Sequence, residues 1–389
     1  MAISWDFTPL WVFTKQPNKP SYNEGDHLTT YANPVWSMEE GTNIPITPTH
    51  IPCGYWPIPS VPWTPEPLHA IYDLTTDGSY LYAAGYLPYG GGKCKAAITK
   101  LTMGGVIVAT ATYEPVVNST NWWGAVCVDG HFVYVGGTVI YPTEGFYRAV
   151  IQKLNISDLS MVWEYKFPLQ GYNCDMRDID IDATDVYGLK ESYTGVSIGR
   201  VRVAIADGSE VWRLGPTTLA GLGIICNASN VYLTKWNSGP KAIEDITKAT
   251  GAETDRNFES GNFTRGVISG TDLYLCGYYF HVGQWYPSIH KIDTLTWTQT
   301  WKYSDAALDF YYSNCVKDGD GVYAISAETM TVQLLKLDLN GNLVWKKTVS
   351  ITNKALYGIT QYGSYIYIGI YWTVGAIERR FKSTGELAL

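Results

Sequence analysis

The sequence has no run of apolar residues long enough to span a membrane and no cluster of basic residues. Its 28 Lys and Arg are outnumbered by 36 Asp and Glu, and the formal net charge is −8. A basic surface for nucleic acid is therefore not expected. The first residues lack a charged segment followed by an apolar one, so the sequence predicts no signal peptide.

The common catalytic and metal-binding motifs are also missing. The seven cysteines (Cys53, Cys94, Cys127, Cys174, Cys226, Cys276 and Cys315) form no CxxC pair, which argues against zinc-ribbon and thioredoxin sites. No HExxH, Gly-x-Ser-x-Gly or phosphate-binding glycine loop occurs. Four cysteines lie in apolar, strand-like runs, where a buried free thiol is expected: Cys127, Cys226, Cys276 and Cys315.

Aromatic residues and glycine are abundant, with 30 Tyr, 15 Trp and 38 Gly. This composition favours short strands joined by tight turns. A polar turn followed by an apolar strand that ends in Tyr recurs seven times. The recurrent tyrosines are Tyr82, Tyr134, Tyr187, Tyr232, Tyr274, Tyr323 and Tyr367. Their spacing of roughly 40–50 residues matches the repeat length of β-propeller blades.

A second signature follows the Tyr strand within several units. Lys153-Leu154-Asn155 leads to Trp163, Lys291-Ile292-Asp293 to Trp301, and Lys336-Leu337-Asp338 to Trp345. This pattern predicts a third strand, a polar turn and a fourth strand with a large aromatic residue. The sequence thus predicts an all-β, seven-bladed β-propeller over residues 69–389.

The run Leu337-Asp338-Leu339-Asn340-Gly341-Asn342-Leu343-Val344-Trp345 resembles the repeats of quinoprotein-like (PQQ-type) propellers and of related short-repeat propellers. The resemblance implies architecture only, because one fold carries many functions. Quinoprotein enzymes of this kind have a vicinal disulfide above the cofactor, and this sequence has no Cys-Cys pair. No organic cofactor is therefore predicted.

Residues 1–68 hold 12 of the 19 prolines and five tryptophans: Trp5, Trp11, Trp36, Trp56 and Trp63. Dense proline predicts an extended N-terminal arm, which either latches onto the propeller or docks into a partner or larger assembly. The last repeat predicts a short fourth strand. Either the final residues suffice to close the ring, or a strand from the arm completes it.

The two faces of the predicted ring differ in their loops. Turns between first and second strands and between third and fourth strands are short and polar, as in Asp129-Gly130 and Asn340-Gly341. Loops between second and third strands carry aromatic residues and form a candidate binding face. Its candidate residues are Tyr86, Tyr89, Tyr141, Phe146, Tyr147, Trp236, Tyr279, Phe280, Trp285, Tyr286 and Trp372. The open alternative is that these side chains cap the channel or pack on the arm.

Acidic residues offer two further hypotheses. Asp178, Asp180 and Asp182 alternate, which places them on one face of a strand and could hold a structural Ca2+. The competing interpretation is hydrogen bonding to backbone or to Arg177 at a blade junction. A pair of facing carboxylates, drawn from Asp175, Glu144 and Asp309, would instead fit a glycosidase.

Together these patterns favour a non-catalytic recognition propeller that binds a protein or a glycan and is tethered by its arm. An exterior-looking composition without a predicted signal peptide favours a virus or phage particle, which assembles without secretion, or a cell exterior over the cytoplasm. The alternative is a propeller hydrolase or lyase that acts on polysaccharide.

Overall fold

The computed structural model describes residues 55–57, 70–88, 93–117, 119–141, 146–168, 173–192, 198–217, 220–236, 241–257, 261–305, 311–326, 332–349, 355–371 and 376–388. These ranges form 28 strands, arranged as seven sheets of four strands each. The predicted seven-bladed propeller is confirmed. None of the described segments is a helix of the length and apolarity that a membrane span requires.

Each of the first six blades is an antiparallel sheet built from consecutive strands, here called A to D from the channel outwards. Blade 1 contains β2 (Ala70–Thr76), β3 (Tyr80–Pro88), β4 (Cys94–Thr102) and β5 (Ile107–Tyr113). Blade 2 contains β6 (Trp122–Val128), β7 (Phe132–Ile140), β8 (Tyr147–Asn155) and β9 (Met161–Lys166). Blade 3 contains β10 (Cys174–Ile181), β11 (Asp185–Ser192), β12 (Ile198–Ala204) and β13 (Glu210–Thr217).

Blade 4 contains β14 (Ala220–Cys226), β15 (Asn230–Trp236), β16 (Lys241–Thr247) and β17 (Glu253–Asn257). Blade 5 contains β18 (Gly261–Ser269), β19 (Asp272–His281), β20 (Gln284–Asp293) and β21 (Thr298–Ser304). Blade 6 contains β22 (Tyr312–Lys317), β23 (Val322–Ser326), β24 (Val332–Leu337) and β25 (Leu343–Val349). The A strands contact one another in sequence and return from blade 7 to blade 1, which closes the ring.

Blade 7 is assembled from distant parts of the chain. Its strands β26 (Ala355–Tyr362), β27 (Tyr365–Tyr371) and β28 (Ala376–Phe381) are joined by β1 (Tyr55–Pro57) at the outer edge. β1 pairs with Ala376–Glu378, while the Ala388 amide donates to the Arg379 carbonyl at 2.9 Å further along β28. Both proposed routes to closure therefore contribute to one composite outer strand.

The compact unit that contains the blades spans Gly54–Leu389. β1 therefore lies in the compact unit of the blades, and its residues fall within the segment 1–68 that was expected to form the arm. A second unit, Met1–Cys53, lies outside the described residues. Among the arm tryptophans, only the backbone of Trp56 is described; Trp5, Trp11, Trp36 and Trp63 lie outside the described residues.

The hydrophobic core lies between blades rather than within them. Each cluster combines neighbouring sheets, as where Tyr274 and Cys276 of blade 5 pack with Cys315 and Val322 of blade 6. All seven recurrent tyrosines are buried. Several hydroxyls also bond the turn before them, as Tyr134 does to Asp129 at 2.7 Å. The repeat thus marks an aromatic residue that packs between blades and, in several units, anchors its own A–B turn.

The strand D tryptophans join successive blades by hydrogen bonds. Trp301 packs against Tyr274 with ring centroids 6.0 Å apart, and its Nε1 donates to the Leu339 carbonyl at 3.0 Å in the next blade. The same arrangement recurs three more times, from Trp163 to Ile205, from Trp212 to Lys248 and from Trp345 to Lys382, each at 3.0 Å.

Blade 4 has no tryptophan in its outer strand, and the next blade supplies one from a turn. Trp297, which follows the third strand of blade 5, packs edge-on against Tyr232 with centroids 5.7 Å apart. The Arg256 guanidinium lies over its ring at 4.5 Å. The aromatic position between blades is therefore kept although the sequence signature is absent.

Candidate functional site

The B–C connections lie on the face opposite the short turns, as predicted. Only in blade 5 is this connection described throughout, and there β19 and β20 continue to a tight turn of Val282 and Gly283. Because each of these strands has 10 residues, they form a long hairpin. We call residues Tyr278–Pro287 the aromatic hairpin.

Aromatic side chains cover both faces of the aromatic hairpin. On one face Trp285 contacts Tyr278 and Phe280, with ring centroids 4.6 Å and 4.8 Å apart. On the other face Tyr279 stacks on Tyr286 with centroids 5.2 Å apart. Strict alternation of side chains in paired strands produces these two layers. Within each layer, side chains of β19 pack against side chains of β20.

The tip of the aromatic hairpin is exposed and carries three apolar side chains beside the polar His281 and Gln284. Val282 is 82% exposed, Phe280 42% and Trp285 39%. Val282 also has a φ of 47°, which a β-branched residue rarely adopts because its Cβ crowds the backbone. Asn or Gly would suit this turn better, so an apolar side chain is held at the tip despite its conformational cost.

Charge is absent from the aromatic hairpin itself. Residues 278–287 contain no Asp, Glu, Lys or Arg. The nearest described cation contact comes from strand D of the same blade, where the Lys302 ammonium lies over the Tyr279 ring at 4.0 Å. His281 lies 6.1 Å from Tyr279 between ring centroids. The tip is therefore suited to an uncharged, apolar partner surface.

The other predicted face residues take different environments. Phe146 is 39% exposed, Tyr147 contacts Trp122 with centroids 5.6 Å apart, and Tyr86 contacts Tyr72 at 5.9 Å. Tyr141 is buried, with the Lys166 ammonium over its ring at 4.0 Å. It belongs to the core between blades 1 and 2 rather than to an exposed face.

The structure does not describe the side chains of three predicted face residues. Tyr89 and Trp372 lie outside the described residues, and only the backbone of Trp236 is described. The structure thus brings together Tyr279, Phe280, Trp285 and Tyr286, all in blade 5.

The channel-lining strands share one irregularity, a β-bulge at the same point of every A strand. The residues that follow the bulge include Asp73, Asp178 and Arg265. The Arg265 guanidinium pairs with Asp73 at 2.9 Å and with Asp178 at 3.2 Å. It also donates to the Gly124 carbonyl at 3.4 Å. One side chain from blade 5 thus reaches blades 1, 2 and 3.

Two carboxylates of β10 link this strand to β14 of the next blade by accepting hydrogen bonds from backbone amides. Asp178 accepts a hydrogen bond from the Ile224 amide at 3.0 Å, and Asp180 from the Cys226 amide at 2.7 Å. Asp182 lies further along, where it accepts from the Tyr187 hydroxyl at 2.9 Å and pairs with Lys248 at 2.5 Å. Burial raises the pKa of Asp178 to about 7 despite Arg265.

Among the described residues no group of three His, Cys, Asp or Glu side chains is arranged to hold a metal ion. Asp178 and Asp180 accept hydrogen bonds from backbone amides of the next blade, as the blade-junction interpretation expected. The cations are Arg265 at Asp178 and Lys248 at Asp182 rather than Arg177, which pairs with Asp175 and Glu191. Structural Ca2+ at these residues stays a prediction.

Blade 3 also contains two acidic residues that lie opposite each other on neighbouring strands. Asp175 and Glu191 face each other across β10 and β11, and Arg177 bridges them at 3.4 Å and 2.5 Å. Thr138 donates to Asp175, and burial raises the pKa of this carboxyl. Glu144 and Asp309, the other carboxylates considered for glycosidase chemistry, lie outside the described residues.

Neither Val282 at the hairpin tip nor Arg265 in the channel was singled out from the sequence. The only local signal at Val282 is the glycine that follows it between two aromatic runs, because Val-Gly is not among the favoured two-residue hairpin sequences. Arg265 gave no such signal, since its partners lie in blades 1 to 3. The described cysteines, Cys94, Cys127, Cys174, Cys226, Cys276 and Cys315, are free thiols.

No protein-family model matches the sequence, and no curated protein matches it either. Solved structures share its fold. The β-propeller domain of Myceliophteria thermophila Cps50 (Swd1) has a TM-score of 0.56 at 10% identity and covers 80% of this chain and 99% of its own. The computationally designed Ika8 protein has a TM-score of 0.51 at 10% identity and covers 81% of this chain and 97% of its own. At this identity the likeness establishes the propeller fold alone.

Proposed function

We propose that this chain is a non-catalytic recognition propeller whose aromatic hairpin binds a protein partner. The observation that carries the proposal is the exposed apolar tip formed by Phe280, Val282 and Trp285. Aromatic side chains that enter a partner's cleft contribute a large contact area at small entropic cost. A propeller supplies a rigid scaffold for such a contact.

The strained turn supports this function over simple packing. A hairpin selected only for stability would carry Asn or Gly in place of Val282. An exposed, β-branched residue with positive φ instead lowers stability, which is typical of residues kept for binding. The absence of charge favours a protein cleft with an apolar floor.

The test uses Val282→Asn, which improves the turn and removes the apolar tip. Leu295→Asn is the matched control, because Leu295 is a 77% exposed apolar residue in a turn of the same blade on the opposite face. Peptides are selected on the wild-type protein from a displayed random library. We expect the selected peptides to bind Val282→Asn at least about tenfold more weakly, or about 1.4 kcal/mol.

Leu295→Asn should leave the peptide affinity unchanged. The proposal fails if no selected peptide depends on Val282, or if both variants weaken binding equally. A parallel oligosaccharide array covers the glycan hypothesis. Sugar binding that Tyr279→Ala abolishes and Val282→Asn spares would identify the Tyr279–Tyr286 face as the functional one.

The N-terminal arm is proposed to tether the propeller into a larger assembly, such as a virus or phage particle. The supporting observation is its content of proline and tryptophan, which is unlike that of a linker. Deleting residues 1–54 spares β1 and so separates tethering from ring closure. Loss of assembly at unchanged melting temperature supports the tether, and retained assembly overturns it.

A polysaccharide hydrolase or lyase is the second candidate. The observation that favours it is the Asp175–Glu191 pair, because a buried carboxyl with a raised pKa can act as a general acid. Against it, Arg177 and Thr138 already occupy these carboxylates. Activity on a polysaccharide panel that Asp175→Asn abolishes would establish this function; no activity on any member would remove it.

A further inference from the structure

The outer strands of the seven blades form the rim of the propeller, and each has one edge without a partner strand in its sheet. Such edges can pair with another chain, and proteins usually block them with charges, proline or short length. Six of the seven outer strands follow this rule. They carry Glu164 and Lys166 in β9, Glu210 and Arg213 in β13, Asp255 and Arg256 in β17, Lys302 in β21, Lys346 and Lys347 in β25, and Pro57 in the short β1.

β5 is the exception. Its sequence, Ile107 to Tyr113, reads IVATATY and contains neither a charged residue nor proline. The first charged residue after it is Glu114, which is paired with Lys95 of the adjacent strand at 3.6 Å. Val, Ile, Thr and Tyr are also the residues that best support strand pairing.

The surroundings of β5 leave its edge open among the described residues. Val106 is 62% exposed and Val108 48%, and Thr112 is exposed as well. Ala109, Ala111 and Tyr113 pack towards blade 2, where Tyr113 stacks on Trp123 with centroids 5.9 Å apart. One face of the strand therefore packs against the core between blades 1 and 2. Its exposed side chains, Val108 and Thr112, are uncharged.

We propose that β5 is a dimer interface in which it pairs antiparallel with β5 of a second copy of this chain. A strand that pairs with its own copy across a two-fold axis makes an isologous, closed contact. The register we infer places Ala111 on the axis, so that Thr110 lies opposite Thr112 of the second copy. Pairing in this register joins two four-stranded blades into one continuous sheet.

A second copy suits this edge better than a charged peptide would. Because β5 carries no charge, two copies approach without repulsion, and the Ala111 pair allows the backbones to come close. Paired threonines across antiparallel strands are favourable. At the other rims, two copies of β25 would bring Lys346 and Lys347, with their ion-pair partners Asp305 and Glu386, into the contact. These charges would have to lose water, which disfavours pairing there.

The first experiment measures the mass of the full chain by light scattering as a function of concentration. We expect a concentration-dependent dimer. Thr112→Lys, at an exposed position of the edge, should raise the dimer dissociation constant at least about tenfold. Thr300→Lys is the matched control, since Thr300 is exposed on β21, and it should leave the dimer unchanged. Equal melting temperatures would exclude misfolding as the cause.

The second experiment tests the register. Ala111→Cys should give a disulfide-linked dimer on mild oxidation, and Thr300→Cys and the wild type should not. A chain that stays monomeric at all concentrations, with no Ala111→Cys dimer, overturns the proposal. So does a dimer that appears only after residues 1–54 are deleted, because the arm would then be the occupant of this edge. Neither experiment measures binding by the aromatic hairpin, so failure of the dimer proposal is distinguishable from failure of the proposed function.

Discussion

The indole Nε1 of Trp301 donates a hydrogen bond to the main-chain carbonyl of Leu339 at 3.0 Å and so joins the outer strand of blade 5 to a turn of blade 6. The Trp301 ring also lies against Gly341 of that turn, where an added Cβ would come within 2.7 Å of Cδ2. The contact combines a half-buried aromatic ring, a satisfied donor and a glycine that leaves space for the ring.

Replacing Trp301 by Phe removes the donor but keeps most of the apolar area. We expect the free energy of unfolding to fall by about 1–3 kcal/mol, because the Leu339 carbonyl loses its partner and the smaller ring leaves a gap. Urea denaturation measures the change. Trp285→Phe, at the exposed hairpin, should be close to neutral, and a similar loss in both variants would contradict the role of the hydrogen bond.

Alanine substitutions at Gly341 and Gly130 distinguish the effect of steric contact from the effect of backbone conformation. Their φ angles are 86° and 88°, but an added Cβ at Gly130 meets no atom within 4 Å. Gly130→Ala should cost about 1 kcal/mol for the left-handed backbone alone. Gly341→Ala should cost more, since Trp301 must also move. Equal melting temperatures for the two variants would show that the ring is not packed as described.

Asp178 predicts a pH dependence of stability. Its folded pKa of about 7 exceeds the unfolded value of about 3.9, so the folded state holds an extra proton between these values. Stability from this group is full below about pH 4 and is lost as the pH rises towards 7. The groups around it are Arg265, Asp73, Asp180 and the Ile224 amide.

Asp178→Asn should therefore make the decline in unfolding free energy between about pH 4 and 7 shallower, by at most about 1.4 kcal/mol per pH unit. Denaturation at a series of pH values measures the slope. Asp207→Asn is the control, because Asp207 lies in an exposed turn and its pKa is lowered by Ser209. An unchanged slope in Asp178→Asn would mean that Asp178 is already ionised at low pH.

Ring closure predicts different effects for two truncations of the arm. Removing residues 1–54 leaves β1 paired with β28 and should preserve the melting temperature. Removing residues 1–60 deletes β1 and exposes the edge at Ala376–Glu378. We expect a melting temperature several degrees lower and faster proteolysis of blade 7. Identical stability of the two truncations would show that β1 does not close the ring.

Much of the fold could be read from the sequence because it depends on local patterns. The seven Tyr-centred repeats and the Asp-Gly turns predicted the number of blades and the turn face. The free thiols at Cys276 and Cys315 followed from their apolar neighbours. Of the residues predicted for the binding face, Phe280 and Trp285 are exposed, whereas Tyr141 is buried under Lys166. Binding at this face stays a prediction.

The sequence by itself determined the repeat, the strand order of the first six blades and most of the aromatic residues between blades, because strand alternation and turn chemistry act over a few neighbouring residues. Only the tertiary structure decided which distant residues meet. Arg265 bonds Gly124, 141 residues away, and Trp297 takes the place that the outer strand of blade 4 leaves without tryptophan. Such contacts depend on closure of the ring, which brings together side chains that no local pattern relates.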